Sequence, residues 1–136
     1  MTADILSTLL KCELLVTLSE EEINPIVSLC HTEQYQAGET IFHQGDQGTK
    51  IYIIKEGQVS LEHAVDLENR KAQLIIAILG PGRALGSWLA LLGESHRLMS
   101  SALCTRKTEV IAVEGPALRE ELKKNLPVGF KVMERL

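Results

Sequence analysis

The chain changes its hydrophobic period twice. Residues 3 to 11 place Ile5, Leu6, Leu9 and Leu10 on one side at helical spacing, which predicts a short amphipathic helix. Ser19 followed three residues later by Glu22 is a capping box. The helix it opens carries Ile23, Ile26, Val27 and Cys30 on one face, with Pro25 in its opening turns. From His31 the period becomes two. Gln34 to Gln36 and Thr40 to His43 read as short strands around Ala37-Gly38, and Gly45-Asp46-Gln47-Gly48 as a turn. Lys50 to Lys55 follows as a strand, with Ile51 and Ile53 on one face and Tyr52 and Ile54 on the other. Glu56-Gly57 turns it back into Gln58 to Ala64, where Val59 and Leu61 alternate with Ser60 and Glu62.

Asp66 to Lys71 reads as a charged hairpin loop, and Leu74 to Leu79, apolar throughout, as a strand covered on both faces. Gly80-Pro81-Gly82 ends it. Ser100 to Cys104 and Val110 to Val113 give two more strands around the charged corner Thr105 to Glu109. From Gly115 the helical period returns, with Leu118, Leu122 and Leu126 on one face and Glu120 four before Lys124 for a surface pair. Asn125, Leu126 and Pro127 break this helix, and Val128 to Leu136 begins another. The pattern predicts one mainly β domain, an antiparallel roll or jelly-roll barrel over residues 31–114, with helices over 1–30 and 115–136.

Composition narrows the function. At 136 residues the chain is long enough for its own core, and with 4% aromatic residues that core rests on Leu, Ile, Val and Ala. A formal net charge of -4, without any basic stripe, argues against direct nucleic-acid binding. Cys12, Cys30 and Cys104 are odd in number and widely separated, which fits buried thiols in a reducing compartment. Neither ligand pairs at zinc spacing nor an H-x-H pair of the cupin type is present, so a metal is not expected. With no secretory signal and no apolar run long enough for a bilayer, a cytoplasmic location away from the membrane is expected. No nucleophile stands in a recognisable setting with a base, so an enzyme is not expected.

The richest stretch is residues 85 to 102, LGSWLALLGESHRLMSSA. Gly86 lets backbone approach a ligand without a Cβ in the way. The run Trp88 to Leu92 reads as a short helix whose start offers unpaired N–H groups to an anion. After the polar loop Gly93 to His96, Arg97 stands before a strand, where its planar fork suits a phosphate.

This stretch resembles the phosphate-binding cassette of cyclic-nucleotide-binding domains, whose pattern runs roughly F-G-E-x-x-(A or G)-L, a variable loop, then R-x-A-(T or V). Leu85, Gly86, Ala90, Leu91 and Arg97 match it. Ser87 stands where the family has a glutamate for the ribose 2′-hydroxyl, Leu98 where a small or hydroxylated residue is common, and Met99 where alanine is usual. Gly93-Glu94 is not the pair in question, since that register needs Arg106 and loses Ala90-Leu91. The series G-E-T-I-F-x-x-G-D-x-G-x-x-x-Y-x-I-x-x-G from Gly38 to Gly57 resembles the family's opening strands, and the C-terminal helices resemble its hinge helix and lid.

The resemblance implies a β-roll of the cyclic-nucleotide-binding type working as a ligand-sensing regulatory domain. Its expected ligand is cAMP, cGMP or a related phosphate-bearing molecule, held by Gly86, Ser87, Trp88, Arg97, Leu98 and Met99. A homodimer or a regulated partner protein would meet the C-terminal helices. The alternative, favoured by Ser87 and Leu98, is a roll without nucleotide binding that serves as an interaction or dimerisation module.

Overall fold

The computed structural model describes residues 2–87 and 97–135. Two N-terminal helices, α1 (Thr2–Leu10) and α2 (Glu20–Val27), precede eight strands. These are β1 (Cys30–Tyr35), β2 (Thr40–Phe42), β3 (Lys50–Glu56), β4 (Val59–Leu67), β5 (Arg70–Leu79), β6 (Ala84–Gly86), β7 (Ser101–Cys104) and β8 (Thr108–Glu114). Two helices follow, α3 (Gly115–Lys123) and α4 (Leu126–Met133). The strands form two antiparallel four-stranded sheets, in the orders β1-β8-β3-β6 and β2-β7-β4-β5. This is the antiparallel roll with flanking helices that the periodicity predicts.

Strand alternation divides the core in two. Ile51 and Ile53 of β3, with Ile111 and Val113 of β8, pack against helical residues that include Leu9, Ile23, Leu118 and Val132. Tyr52 and Ile54, with Val110 and Ala112, turn the other way and join Phe42, Val59, Leu85, Leu98 and Cys104 inside the roll. β3 and β8 are thus the strands buried on both faces.

The expectation that Leu74 to Leu79 is covered on both faces is corrected. Among the described residues β5 is an edge strand, paired only with β4, and Leu74, Ile75, Ile76 and Ile78 are exposed. A continuous apolar run cannot by itself tell a central strand from an edge one, because the difference lies in sheet order. The predicted charged loop is also shorter: the β4–β5 ladder runs out to Leu67 opposite Arg70, and the turn is confined to Glu68-Asn69, with Glu68 at φ +44°. β1 begins at Cys30 rather than Gln34, because a polar edge strand shows no apolar alternation.

Helix ends follow their local signals. Ser19 Oγ accepts from Glu22 N–H at 3.2 Å while Glu22 Oε1 accepts from Ser19 N–H at 2.9 Å, completing the capping box. Asn125 caps α4, so Pro127 stands in its first turn, where the missing N–H is harmless, rather than between two helices. Glu120 pairs with Lys123 at 3.1 Å, not with Lys124, which instead meets Glu121 at 3.2 Å. These i,i+3 pairs replace the expected i,i+4 pair.

Gly57 fixes the β3–β4 turn at φ +108°. A Cβ there would come within 2.6 Å of Thr108 Cα and 2.7 Å of Lys107 O. Thr108 is buried, donates to Arg106 O at 2.8 Å and accepts from Gln58 N–H at 3.3 Å, so it cannot yield easily. Gly57→Ala is therefore expected to destabilise the domain by about 1–3 kcal/mol, from backbone strain plus overpacking. A lower midpoint in urea unfolding checks this; an unchanged midpoint would mean that the turn relaxes freely.

Candidate functional site

The cassette region is built on β3. Leu85 and Gly86 pair with Tyr52 and Ile51, and Ser87 N–H extends the contact by donating to Lys50 O at 2.9 Å. Gly86 lies at φ +119°, and a Cβ there would stand 2.5 Å from Lys50 O and 3.2 Å from Ile51 Cα. The close approach that requires glycine is therefore to the neighbouring strand, whereas the sequence argument placed it toward a ligand. The turn before β6 is held on the same strand, Gly82 N–H donating to Ile54 O at 2.8 Å and Ile54 N–H to Arg83 O at 3.0 Å. Glu13 Oε2 adds a second anchor, accepting from Arg83 Nε at 2.8 Å and Ala84 N–H at 2.9 Å.

The returning segment is clasped by the β2–β3 loop. Leu98 N–H donates to Asp46 O and Gly45 N–H to Leu98 O, both at 2.8 Å, and Arg97 forms a bridge with Gln47. Arg97 Nη1 donates to Gly45 O at 2.8 Å, its side chain exposed. Among the described residues Arg97 forms no ion pair, and its side-chain partner is that carbonyl. Met99 is well exposed, its carbonyl 2.6 Å from His63 Nδ1.

Ser87 is fully buried and Leu98 nearly so. Both press on Gly48: a Cβ there would stand 2.8 Å from Ser87 Oγ and 2.9 Å from Leu98 Cδ2. A pocket of about 180 Å³ opens beside this packing, walled by Phe42, Gln47, Gly48, Lys50, Tyr52 and Leu98 among others. Phe42 and Tyr52 form a tilted ring pair, 5.8 Å between centroids.

Charge beside the pocket is organised by Glu33 of β1. Its carboxylate accepts from Tyr35 OH at 2.6 Å, lies 2.6 Å from His31 Nε2 and 3.5 Å from Lys50 Nζ. Burial pushes the Glu33 carboxyl up, but the hydrogen bonds from Tyr35 and His31 and the Lys50 charge outweigh it and hold the group below the usual carboxylate range. Burial, then the negative charges of Glu33 and Glu114, pushes the Tyr52 phenol up to about 12. Lys50 is thus already neutralised, in contrast to Arg97.

Of the six residues picked from sequence, the structure gathers Ser87, Arg97 and Leu98 around the β2–β3 loop, with Gly86 packed on the start of β3 and Met99 exposed next to Leu98. Trp88 lies outside the described residues, as do the helix Trp88 to Leu92, the matches Ala90 and Leu91, and the loop Gly93 to His96. Gly48 was read from sequence only as part of a turn. The available signal was the second glycine of the G-D-x-G run, which marks close packing as well as a corner. Among the described residues there is no cluster of three or more His, Cys, Asp or Glu suited to a metal ion, and no helix long and apolar enough to cross a membrane.

Residues 32–125 match the family model described as the cyclic nucleotide-binding domain. The chain belongs to that family. Within it, the chain is 34% identical over 96 residues to the cyclic AMP receptor protein of Thermus thermophilus, covering 71% of this chain and 42% of that protein. The crystal structure of the Thermus thermophilus catabolite activator protein superposes with a TM-score of 0.73 at 27% identity, over 90% of this chain and 55% of that one. The regulatory subunit of a cAMP-independent protein kinase A from Trypanosoma brucei shares the fold, with a TM-score of 0.73 at 19% identity, over 95% of this chain and 44% of that one. The chain therefore spans less than half the length of the Thermus receptor protein and corresponds to a regulatory cyclic nucleotide-binding domain.

Gly86→Ala is expected to lower the unliganded melting temperature, because its Cβ meets the Lys50 carbonyl whether or not a ligand is bound. Ser87→Glu, which restores the family residue, should do the same, since it forces a carboxylate into the buried space already filled by Gly48 and Leu98. Thermal unfolding without ligand reads both. A Glu variant that melts like the parent would show that this space opens more readily than its packing implies.

Proposed function

We propose that this cyclic nucleotide-binding domain is a cytoplasmic ligand sensor that binds cAMP, cGMP or a related phosphate-bearing molecule along the segment from Gly86 to Met99. The single observation that carries the reading is Arg97. It is an exposed guanidinium with no carboxylate partner among the described residues, held on the backbone of Gly45 and Gln47 in the loop whose Gly48 packs against Ser87 and Leu98. Arg97 would exchange the Gly45 carbonyl for two phosphate oxygens, a gain because charge-assisted pairs are stronger than a bond to a neutral carbonyl. The Ser87 N–H is held by the Lys50 carbonyl, so Gly86 and Ser87 would serve as a fixed wall of the cradle, with Leu98 and Met99 beside it. The relatives support this choice by name: one is a cyclic AMP receptor protein, and a Toxoplasma gondii protein kinase A regulatory domain of the same fold was crystallised with cAMP.

Output would pass through α3 and α4, where Leu126, Phe130 and Met133 face solvent beside a groove of about 420 Å³. Binding at the cassette would shift these helices toward a partner protein or a second subunit. The domain acts by regulation rather than catalysis. A second reading has its own support. Leu98 offers no side-chain hydrogen bond and Ser87 is a weaker acceptor than glutamate, which favours an interaction module without nucleotide; the Trypanosoma relative is itself described as cAMP-independent.

Calorimetry and thermal melting with cAMP and cGMP decide between the two. The parent domain is expected to bind one of them and melt higher in its presence. Arg97→Lys should lose most of that shift while keeping its unliganded stability within about 0.5 kcal/mol, because lysine keeps the charge but not the fork. A shift that survives unchanged in Arg97→Lys would remove the cassette from the mechanism. Neither heat nor shift with either nucleotide would remove cAMP and cGMP as ligands and favour the interaction-module reading.

A further inference from the structure

The β4–β5 hairpin carries a feature that the ligand site does not use. β5 is ten residues long and, among the described residues, hydrogen-bonded on one side only, so its outer edge presents a row of backbone groups without a strand partner there. Leu74, Ile75, Ile76 and Ile78 on it are 53%, 63%, 59% and 58% exposed. From Ala72 to Leu79 there is neither charge nor proline, the usual guards of an edge; only Arg70 and Lys71 stand at its start. The register shift at Leu61/Glu62 leaves Ile76 as the extra residue, with Ile75 opposite Glu62 and Ile78 opposite Ser60. Ile75 and Ile78 therefore share the outer face of the sheet, away from Val59 and Leu61, which turn into the roll. A ligand inside the roll does not cover them.

We propose that this edge is a self-association surface on which two copies pair β5 with β5, antiparallel about a two-fold axis, joining their four-stranded sheets into one. Charge selects this arrangement. Antiparallel pairing centred near Ile75 holds the two Arg70-Lys71 ends roughly 30 Å apart at about 3.4 Å per residue, well beyond a Debye length of about 8 Å. Parallel pairing would set them side by side. The uncharged span from Ala72 to Leu79 calls for an equally uncharged strand opposite, and the same span of a second copy supplies it. Area sets the strength. At roughly 100 Å² of apolar surface per fully exposed Leu or Ile side chain, the four residues offer about 230 Å² per copy before backbone and flanking side chains are added. Doubled across the axis, this stays below the roughly 1,600 Å² of a standard stable interface and fits a weak, concentration-dependent dimer.

Sedimentation velocity of the full chain without nucleotide, from low micromolar to submillimolar concentration, tests the proposal. The average mass should rise with concentration toward that of two chains. Ile75→Lys should weaken association at least tenfold without changing the melting temperature, and Ile75→Thr, milder to the fold, should weaken it in the same direction. Leu126→Lys on α4 should leave it unchanged. A chain that is monomeric throughout, or association that Leu126→Lys abolishes and neither Ile75 variant alters, overturns the proposal.

Discussion

The structure hangs on β3 and on how closely its neighbours approach it. One face of the strand sends Ile51 and Ile53 into the helical core, and the other sends Tyr52 and Ile54 into the roll, so both halves of the core meet at this ribbon. Its backbone pairs with β8 along one edge and, from Ile51 to Ile53, with β6 along the other. Because Gly86 has no side chain, β6 closes on β3 and hands Ser87 to the Lys50 carbonyl. An ordered backbone costs about 1–2 kcal/mol per residue in lost conformational freedom. For the three residues of β6, burial of Ala84 and Leu85 and the ladder to β3 offset that cost. Ligand contact is not needed to hold them in place.

This anchoring gives the candidate site a rigid side and an adjustable one. Gly86 and Ser87 are fixed by β3, and Leu98 is fixed by two backbone hydrogen bonds to the β2–β3 loop. Arg97 lies between these fixed points, yet its exposed guanidinium makes one bond, to a loop carbonyl. Lys50 shows the opposite condition, with its charge met by Glu33, whose carboxylate is also hydrogen-bonded by Tyr35 and His31. Of the two cations, Arg97 is the one without an ion-pair partner among the described residues.

Most of the fold could be read from periodicity because β3 and the N-terminal helices write their burial directly into sequence. Ile51, Tyr52, Ile53 and Ile54 are all buried, and Ser19 with Glu22 forms the capping box their spacing implies. The misreadings have a common cause: they concern relations between segments. Leu74 to Leu79 carries the composition of a central strand, but only the pairing order reveals that no described strand lies beyond it. β6, three residues long, is too short to show any alternation, and the side of Gly86 that needs to be bare depends on β3, more than thirty residues earlier. Gly48 belongs to the site because Ser87 and Leu98 close over it, a contact that no local pattern encodes.

That three-way contact also links the departures from the family pattern at Ser87 and Leu98. Taken singly, a serine for glutamate loses an acceptor, and a leucine for a small residue adds bulk. In the folded domain the two side chains press on the same glycine, with Ser87 fully buried and Leu98 nearly so. Close-packed interiors tolerate exchanges that conserve total volume better than a lone increase. A small residue at 87 leaves room for a large one at 98, so the pair trades polarity for apolar packing at nearly constant volume. The roll gains burial of Leu98 against Phe42, Tyr52 and Leu85 in the same cluster. What it gives up is a carboxylate facing the ligand side. Under the proposed binding mode, this exchange would leave recognition to the anion that Arg97 can grip rather than to a sugar hydroxyl.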